Sequence, residues 1–288
     1  MPFEIAAMVL VSAVLHPTWN AFLKREEDRA AGYWAMGIFF ALYAGTYSWV
    51  GGHDLTDGLD VFWPFIVFSW AGQVIYGAAM VAVYRRGDFS AYYPIIRSSP
   101  VFVVLFGLVA LKTDYAPALL GGIAMVVVGA FLLQYRPGTR LLSDPLTLLL
   151  AVVSMCGTGI YSIADAGAVQ SVPPSVLFFW IELGLLPLYA VVFRLVGQGA
   201  VERRAVRLLM WRPLRYAGAA AIAFIGYVLI LEAYARGGDV AAVTAVRQAS
   251  IPLSALIGGL VLKESHLAMR LVASLVMAAG IVVVILSG

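Results

Sequence analysis

Two arginines lie where arginine is expensive. Arg97 sits inside Ala91-Tyr92-Tyr93-Pro94-Ile95-Ile96-Arg97-Ser98-Ser99-Pro100, and an apolar run continues from there to Leu111. Arg247 sits in the apolar run from Val243 to Leu262, with Pro252 shortly after it. A guanidinium does not shed its proton, and leaving it in lipid costs several kcal/mol even on lenient scales. Each arginine must therefore face protein, a water-filled cavity or an anionic ligand. Its planar fork suits a carboxylate or phosphonate, which gives the functional expectation of anion binding near the middle of a membrane. The structural alternative is neutralisation by a buried acid, or by carbonyls freed beside a proline.

Other residues in apolar runs extend this chemistry. Glu182 and Glu232 are the two acids furthest from loops, and Asp165 lies at the end of a run. A carboxyl group held in an apolar span can take up and release a proton, so Glu232 is a candidate for substrate binding or proton coupling. Its alternative is a fixed ion pair with an arginine. Glu182 ranks below it. Trp19, Tyr76, Tyr93, Tyr161 and Tyr227 sit deep enough to line a cavity or cage a cation, whereas Trp49, Trp63 and Trp211 read as interfacial anchors. Asn20, Gln73 and Gln248 carry amides that need partners away from water. His16 precedes Pro17, where the helical ladder is locally broken, so it either bonds a freed carbonyl or binds substrate. The candidate binding set is thus Arg97, Arg247, Trp19, Asn20, His16, Tyr76, Tyr93, Tyr161, Tyr227, Glu232 and Gln248.

The elements that carry these residues are read from hydropathy. The 288 residues are 62% hydrophobic and 12% charged, with a mean hydropathy of +0.92. Soluble domains carry roughly 25% charged residues, so lipid is the expected solvent. The net charge of +3 does not indicate nucleic acid, because the basic surplus is confined to short loops. A lone Cys156 excludes an intramolecular disulfide. The first apolar run contains His16, Pro17, Trp19 and Asn20, so it is expected to be a span and not a cleaved signal.

Ten spans are predicted, at about Phe3–Leu23, Tyr33–Val50, Val61–Tyr84, Ser90–Leu111, Tyr115–Gln134, Pro145–Asp165, Pro174–Val196, Pro213–Ala235, Val240–Leu262 and Leu267–Leu286. Between Arg194 and Arg215 there is room for an amphipathic interfacial helix. Lys24, Arg25, Arg29, Arg85, Arg86, Arg136, Arg140, Lys263 and the arginines from Arg203 to Arg215 collect on one side. By the positive-inside rule that side is cytoplasmic, and both termini are expected outside.

Tyr84, Arg86, Gly87, Ala91 and Arg97 recur as Tyr234, Arg236, Gly237, Ala241 and Arg247, each 150 residues later (247 − 97 = 150). Five spans separate the two copies, so they cross the membrane in opposite senses. The predicted fold is an all-α membrane protein of ten transmembrane helices in two inverted five-helix repeats, residues 1–140 and 141–288.

Several segments resemble the EamA-like ten-helix transporters of the drug/metabolite transporter superfamily. They are Ala91-Tyr92-Tyr93-Pro94 through Pro100, Gly237-Gly238-Asp239 through Ile251-Pro252, and Gly258-Gly259-Leu260-Val261-Leu262-Lys263-Glu264 leading into Ala278-Ala279-Gly280. The first half has Leu111-Lys112-Thr113-Asp114 where that family places a glutamate, but keeps a small patch at Gly129-Ala130. His16-Pro17-Thr18-Trp19-Asn20 is similar to a subgroup associated with phosphonate utilisation.

The resemblance implies a secondary transporter in a bacterial cytoplasmic (inner) membrane, working by alternating access on a zwitterionic or anionic metabolite such as an amino acid or organophosphonate. The implied partners are that small molecule, a coupling proton and the bilayer, with no nucleic acid and no cofactor, in a monomer or homodimer. The competing readings are an intramembrane enzyme acting on a lipid or small-molecule head group, and a non-transporting scaffold. No phosphate-binding loop, His-Glu-x-x-His pattern or Gly-x-Ser-x-Gly elbow occurs. His16, His53 and His266 are too scattered for a metal site.

Overall fold

Helices run almost end to end. The computed structural model describes every residue except 57, 87–88, 135–143, 254–266 and 288. The helices are α1 (Phe3–Lys24), α2 (Arg29–Val50), α3 (Leu59–Arg86), α4 (Phe89–Ile96), α5 (Ser99–Phe106), α6 (Pro117–Gln134), α7 (Pro145–Ala168), α8 (Pro174–Leu195), α9 (Val201–Trp211), α10 (Pro213–Ala235), α11 (Val240–Val246) and α12 (Leu267–Ser287). A π-helical turn at Gly107–Leu111 extends α5, and a 3-10 turn at Arg247–Ala249 follows α11. No strand occurs among the described residues.

Local chemistry sets these boundaries. Asp28, Asp144 and Asp239 cap α2, α7 and α11 by accepting the backbone N–H groups of Ala31, Thr147 and Ala242. Pro145, Pro174 and Pro213 stand at the first helical position, where the missing N–H costs nothing.

Among the described residues, six helical segments are long and apolar enough to cross a membrane: Phe3–Leu23, Leu59–Val83, Tyr92–Leu111, Pro145–Ala168, Pro174–Leu195 and Pro213–Ala235. Shorter apolar helices cover Pro117–Leu133, Val240–Leu253 and Leu271–Ser287. Large apolar side chains cover the outside of the bundle, including Phe3, Trp49, Phe68, Val109, Leu195, Leu275 and Leu286. A surface of that kind belongs in lipid, and the chain is a multi-pass membrane protein.

The amphipathic connector expected after Arg194 is α9. It buries Val201 and Ala205 and leaves Val206, Met210 and Trp211 exposed. Arg204 on its polar side pairs with Asp28.

The four most extensive packings are α3 on α7, α6 on α12, α2 on α8 and α1 on α10. Each joins an element before residue 140 to one after it, so the two predicted halves share one core. Small residues permit the closest of these approaches. A Cβ on Gly72 would lie 2.6 Å from the backbone nitrogen of Tyr161, and one on Gly157 would lie 2.6 Å from that of Tyr76. The Gly129 patch predicted in the fifth span packs on α12 beside Met277 and Ala273, whereas Gly280 of the tenth-span patch meets Gly122, where its Cβ would lie 2.8 Å from the carbonyl oxygen.

Gly258–Glu264, which carries part of the family resemblance, lies outside the described residues, as do Gly87, Arg136, Arg140 and His266.

Candidate functional site

The backbone breaks at both arginines. Arg97 and Ser98 separate α4 from α5, and Arg247 opens the 3-10 turn that ends α11. Pro94 removes one N–H from the α4 ladder, and Pro100 stands in the first turn of α5, where the N–H has no helical partner to lose. The Ser98 hydroxyl donates to the Pro94 carbonyl at 2.7 Å, taking up one of the acceptors freed there. Next to the second break, the Ser250 hydroxyl donates to the Arg247 carbonyl at 3.2 Å. The two breaks also touch each other, because Arg97 Nη2 donates to Ser250 Oγ at 3.0 Å.

His16 marks the point of convergence. It lies deep in the bundle within electrostatic reach of both Arg97 and Arg247, yet keeps part of its surface open, as a cavity wall does. Trp19 stands edge-on to it at 5.1 Å between ring centroids, and Asn20 Nδ2 lies 2.9 Å from its Nε2. His16 thus pairs with a side chain one turn along α1 and not with a carbonyl freed by Pro17.

Arg247 lies over the face of Tyr227 at 5.6 Å, with Tyr76, Tyr161 and Tyr234 also around it. Tyr76 and Tyr161 meet edge-to-face at 6.4 Å. Tyr93 is half-buried one turn before Arg97, and its carbonyl accepts the Arg97 backbone N–H at 3.0 Å. Gln248 is buried and spends its Nε2 on the Thr244 carbonyl at 3.0 Å, leaving Oε1 without a donor.

Neither arginine forms an ion pair with a carboxylate among the described residues. This departs from the expectation that a protein acid neutralises one of them. The carboxyl groups that do reach the cluster are Asp165 and Glu182. Asp165 is 1% exposed and accepts the Tyr227 hydroxyl at 2.5 Å. Glu182 is 7% exposed, within electrostatic reach of Asp165.

Glu232 is placed otherwise, half-buried at the end of α10, 3.8 Å from Arg236, which also holds Glu4 at 3.1 Å. The structure thus gives Glu232 the ion-pair alternative. The reason is helical phase: α10 turns Tyr227 and Tyr234 toward Arg247, but Glu232 toward the next turn's arginine.

The structure also brings Tyr234, Ser69 and Ser162, which are not among the candidates read from sequence, close to Arg247 and Asp165. The signal available for Glu182 is that it is the lone acid in the otherwise apolar stretch from Pro174 to Phe193.

Buried polar groups recur along these helices. Ser69 lies within reach of Asp165 and Ser162 within reach of Tyr234, while Arg97 Nε, Gln73 Nε2 and Gln248 Oε1 are buried without a partner. Interiors pair about nine in ten such groups, so these exceptions indicate room for water or a polar ligand. No group of three His, Cys, Asp or Glu among the described residues is placed to hold a metal ion.

Trp34 and Trp180 serve as anchors, with indole N–H groups donating to the Leu186 and Leu55 carbonyls at 2.8 and 2.7 Å. An apolar groove of about 560 Å³, lined by Leu59, Asp60, Trp63, Ile66, Val67, Trp70 and Trp180, opens on the outer face, apart from the cluster.

No protein-family model matches the chain, and no curated protein matches it. A solved structure described as "Crystal structure of protein" is similar over 98% of this chain and 96% of its own, with a TM-score of 0.73 and 16% identity. That likeness establishes a shared helical fold along nearly the whole chain.

Proposed function

We propose that the protein is a secondary transporter for a small polar organic metabolite, anionic or zwitterionic, of the EamA-like group in the drug/metabolite transporter superfamily. It works by alternating access in a bacterial cytoplasmic membrane. The observation that carries this reading is the contact between two helix breaks, one at Arg97 and one at Arg247, made by Arg97 Nη2 on Ser250, with His16 within electrostatic reach of both arginines. Broken helices that present charged groups and free backbone near the bilayer midplane are how inverted-repeat transporters hold a substrate.

In this reading α4 and α5 form one span, α11 begins another, α9 lies in the interface, and ten spans divide into halves 1–140 and 141–288. The packing supports it. Exchanging α1 with α7, α2 with α8, α3 with α10, α4–α5 with α11 and α6 with α12 turns the α3–α7 contact into the α10–α1 contact. The same exchange returns α2–α8 and α6–α12 to themselves, so all four major packings are kept. The loop arginines place both termini outside.

The test is uptake of labelled amino acids and organophosphonates into proteoliposomes. Accumulation without chemical change supports transport, whereas conversion to a product would establish the enzyme reading instead. Lysine keeps the charge but loses the planar fork. Arg247→Lys is therefore expected to weaken binding at least 10-fold, and normal binding and uptake by both Arg97→Lys and Arg247→Lys would remove the arginines from the site.

A further inference from the structure

We infer that Asp165 and Glu182 form an ammonium subsite opposite the arginines, so that the transported molecule carries a cationic as well as an anionic end. The inference rests on the transporter reading above and deepens it.

Asp165 is buried among neutral donors. Its Oδ2 accepts the Tyr227 hydroxyl at 2.5 Å, and the fully buried Ser69 hydroxyl lies within reach of the same carboxyl. No lysine or arginine forms an ion pair with it among the described residues. Glu182 comes from α8 and has neither a hydrogen bond nor an ion pair among the described residues. Its carboxyl faces α2 near Gly37, within electrostatic reach of Asp165, so the two acids lie on one side of the cluster with no cation between them.

Tyr227 therefore has two sides. Its ring face receives Arg247 at 5.6 Å, and its hydroxyl reaches Asp165. The two signs of charge are held close together by a neutral spacer without pairing directly.

Buried charges are stable only when compensated. A ligand with an anion alone would answer the guanidinium groups and leave two acids facing each other. A cation alone would do the reverse. A zwitterion compensates both poles and adds no net charge to a site where Coulomb energies are large. Tyr76 and Tyr161 also bring aromatic rings that attract an ammonium. Because one aromatic ring separates the poles, the ligand is short, with an amine and a carboxylate or phosphonate a few bonds apart.

The test measures binding to the purified full chain in lipid nanodiscs, using 3-aminopropanoate against propanoate, and 2-aminoethylphosphonate against ethylphosphonate. The wild type is expected to bind at least one zwitterion 10-fold or more tighter than its amine-free partner. Asp165→Asn keeps an acceptor for Tyr227, and Glu182→Gln keeps the volume. Each should bring the zwitterion near parity with the amine-free partner, and that partner should bind at least as tightly as it does to the wild type, because an uncompensated acid is gone; its retained binding also reports a folded site.

A zwitterion preference that survives both substitutions overturns the subsite, as does a wild type that binds propanoate and ethylphosphonate as tightly as their amines. Should Asp165→Asn lose the amine-free probe as well, the Glu182→Gln result decides. If the wild type neither binds nor accumulates any of the four probes, the transporter reading falls and the subsite with it.

Discussion

Gly157→Ala adds one methyl group at the place where α3 and α7 touch backbone to backbone. The new Cβ would lie 2.6 Å from the Tyr76 nitrogen and 2.7 Å from the Gly72 carbonyl oxygen. Ordinary contact begins near 3.4 Å, so the helices must separate by about 0.8 Å (3.4 − 2.6). Both opposing atoms belong to backbone and have no rotamer to escape into. Overpacking of this kind costs about 1–3 kcal/mol, against a gain of about 0.5–1 kcal/mol from replacing a helical glycine by alanine. The clash wins, leaving about 1–2 kcal/mol of destabilisation. At about 2–4 °C per kcal/mol for a chain somewhat shorter than this one, Tm in detergent should fall by about 2–8 °C. Gly121, with nothing within 4 Å of its Cβ position, supplies the control, and Gly121→Ala should leave Tm unchanged or raise it. Gly72→Ala should resemble Gly157→Ala, and the double variant should cost less than the sum, since one separation of the helices serves both. Ligand affinity should fall too, because Tyr76 and Tyr161 ride on these two helices beside Arg247. A Tm for Gly157→Ala at or above the wild-type value would refute the close packing and the geometry of the site built on it.

Three further outcomes are expected. Glu232→Gln should leave uphill accumulation in proteoliposomes unchanged, because its carboxylate is engaged with Arg236 at the end of α10; abolished accumulation would return the coupling role to it. The Thr147 hydroxyl and backbone N–H hold the Asp144 carboxyl below the usual aspartate value, helped by Arg86. A depressed pKa contributes stability that is fully present above the unfolded value of about 3.9 and is lost as pH falls through the folded one. Asp144→Asn should therefore lower Tm at pH 7 by more than it does below pH 4 (assay values), and an equal deficit at both would show that charge plays no part. A cysteine placed at Ser287, with Cys156 replaced by alanine, should react with a membrane-impermeant maleimide in intact cells; protection until lysis would invert the topology.

The membrane class and most helix boundaries were legible in the chain, because length and hydropathy are local properties. Asp144 with Pro145 beside it, and Asp239 after two glycines, announce helix starts, and Arg97 and Arg247 are conspicuous because lipid tolerates them so poorly. The amphipathic α9 could be read for the same reason, from composition over a short window. The choice among the acids was not local. Glu232 and Glu182 are both acids within apolar runs, and Asp165 looks like a residue at a run's end. Lipid-facing and core-facing sides of a membrane helix are both apolar, so the sequence carries only a weak mark of which side turns inward. Packing supplied that information. The close approach of α3 and α7 through Gly72 and Gly157 brings Tyr76 to Tyr161. The position of α10 lets Tyr227 reach Asp165, and the same helix leaves Glu232 to Arg236. Sequence thus determined that charge had to be buried and on which spans. Tertiary structure decided which charged side chains come near one another, because that depends on the rotation and separation of helices far apart in the chain.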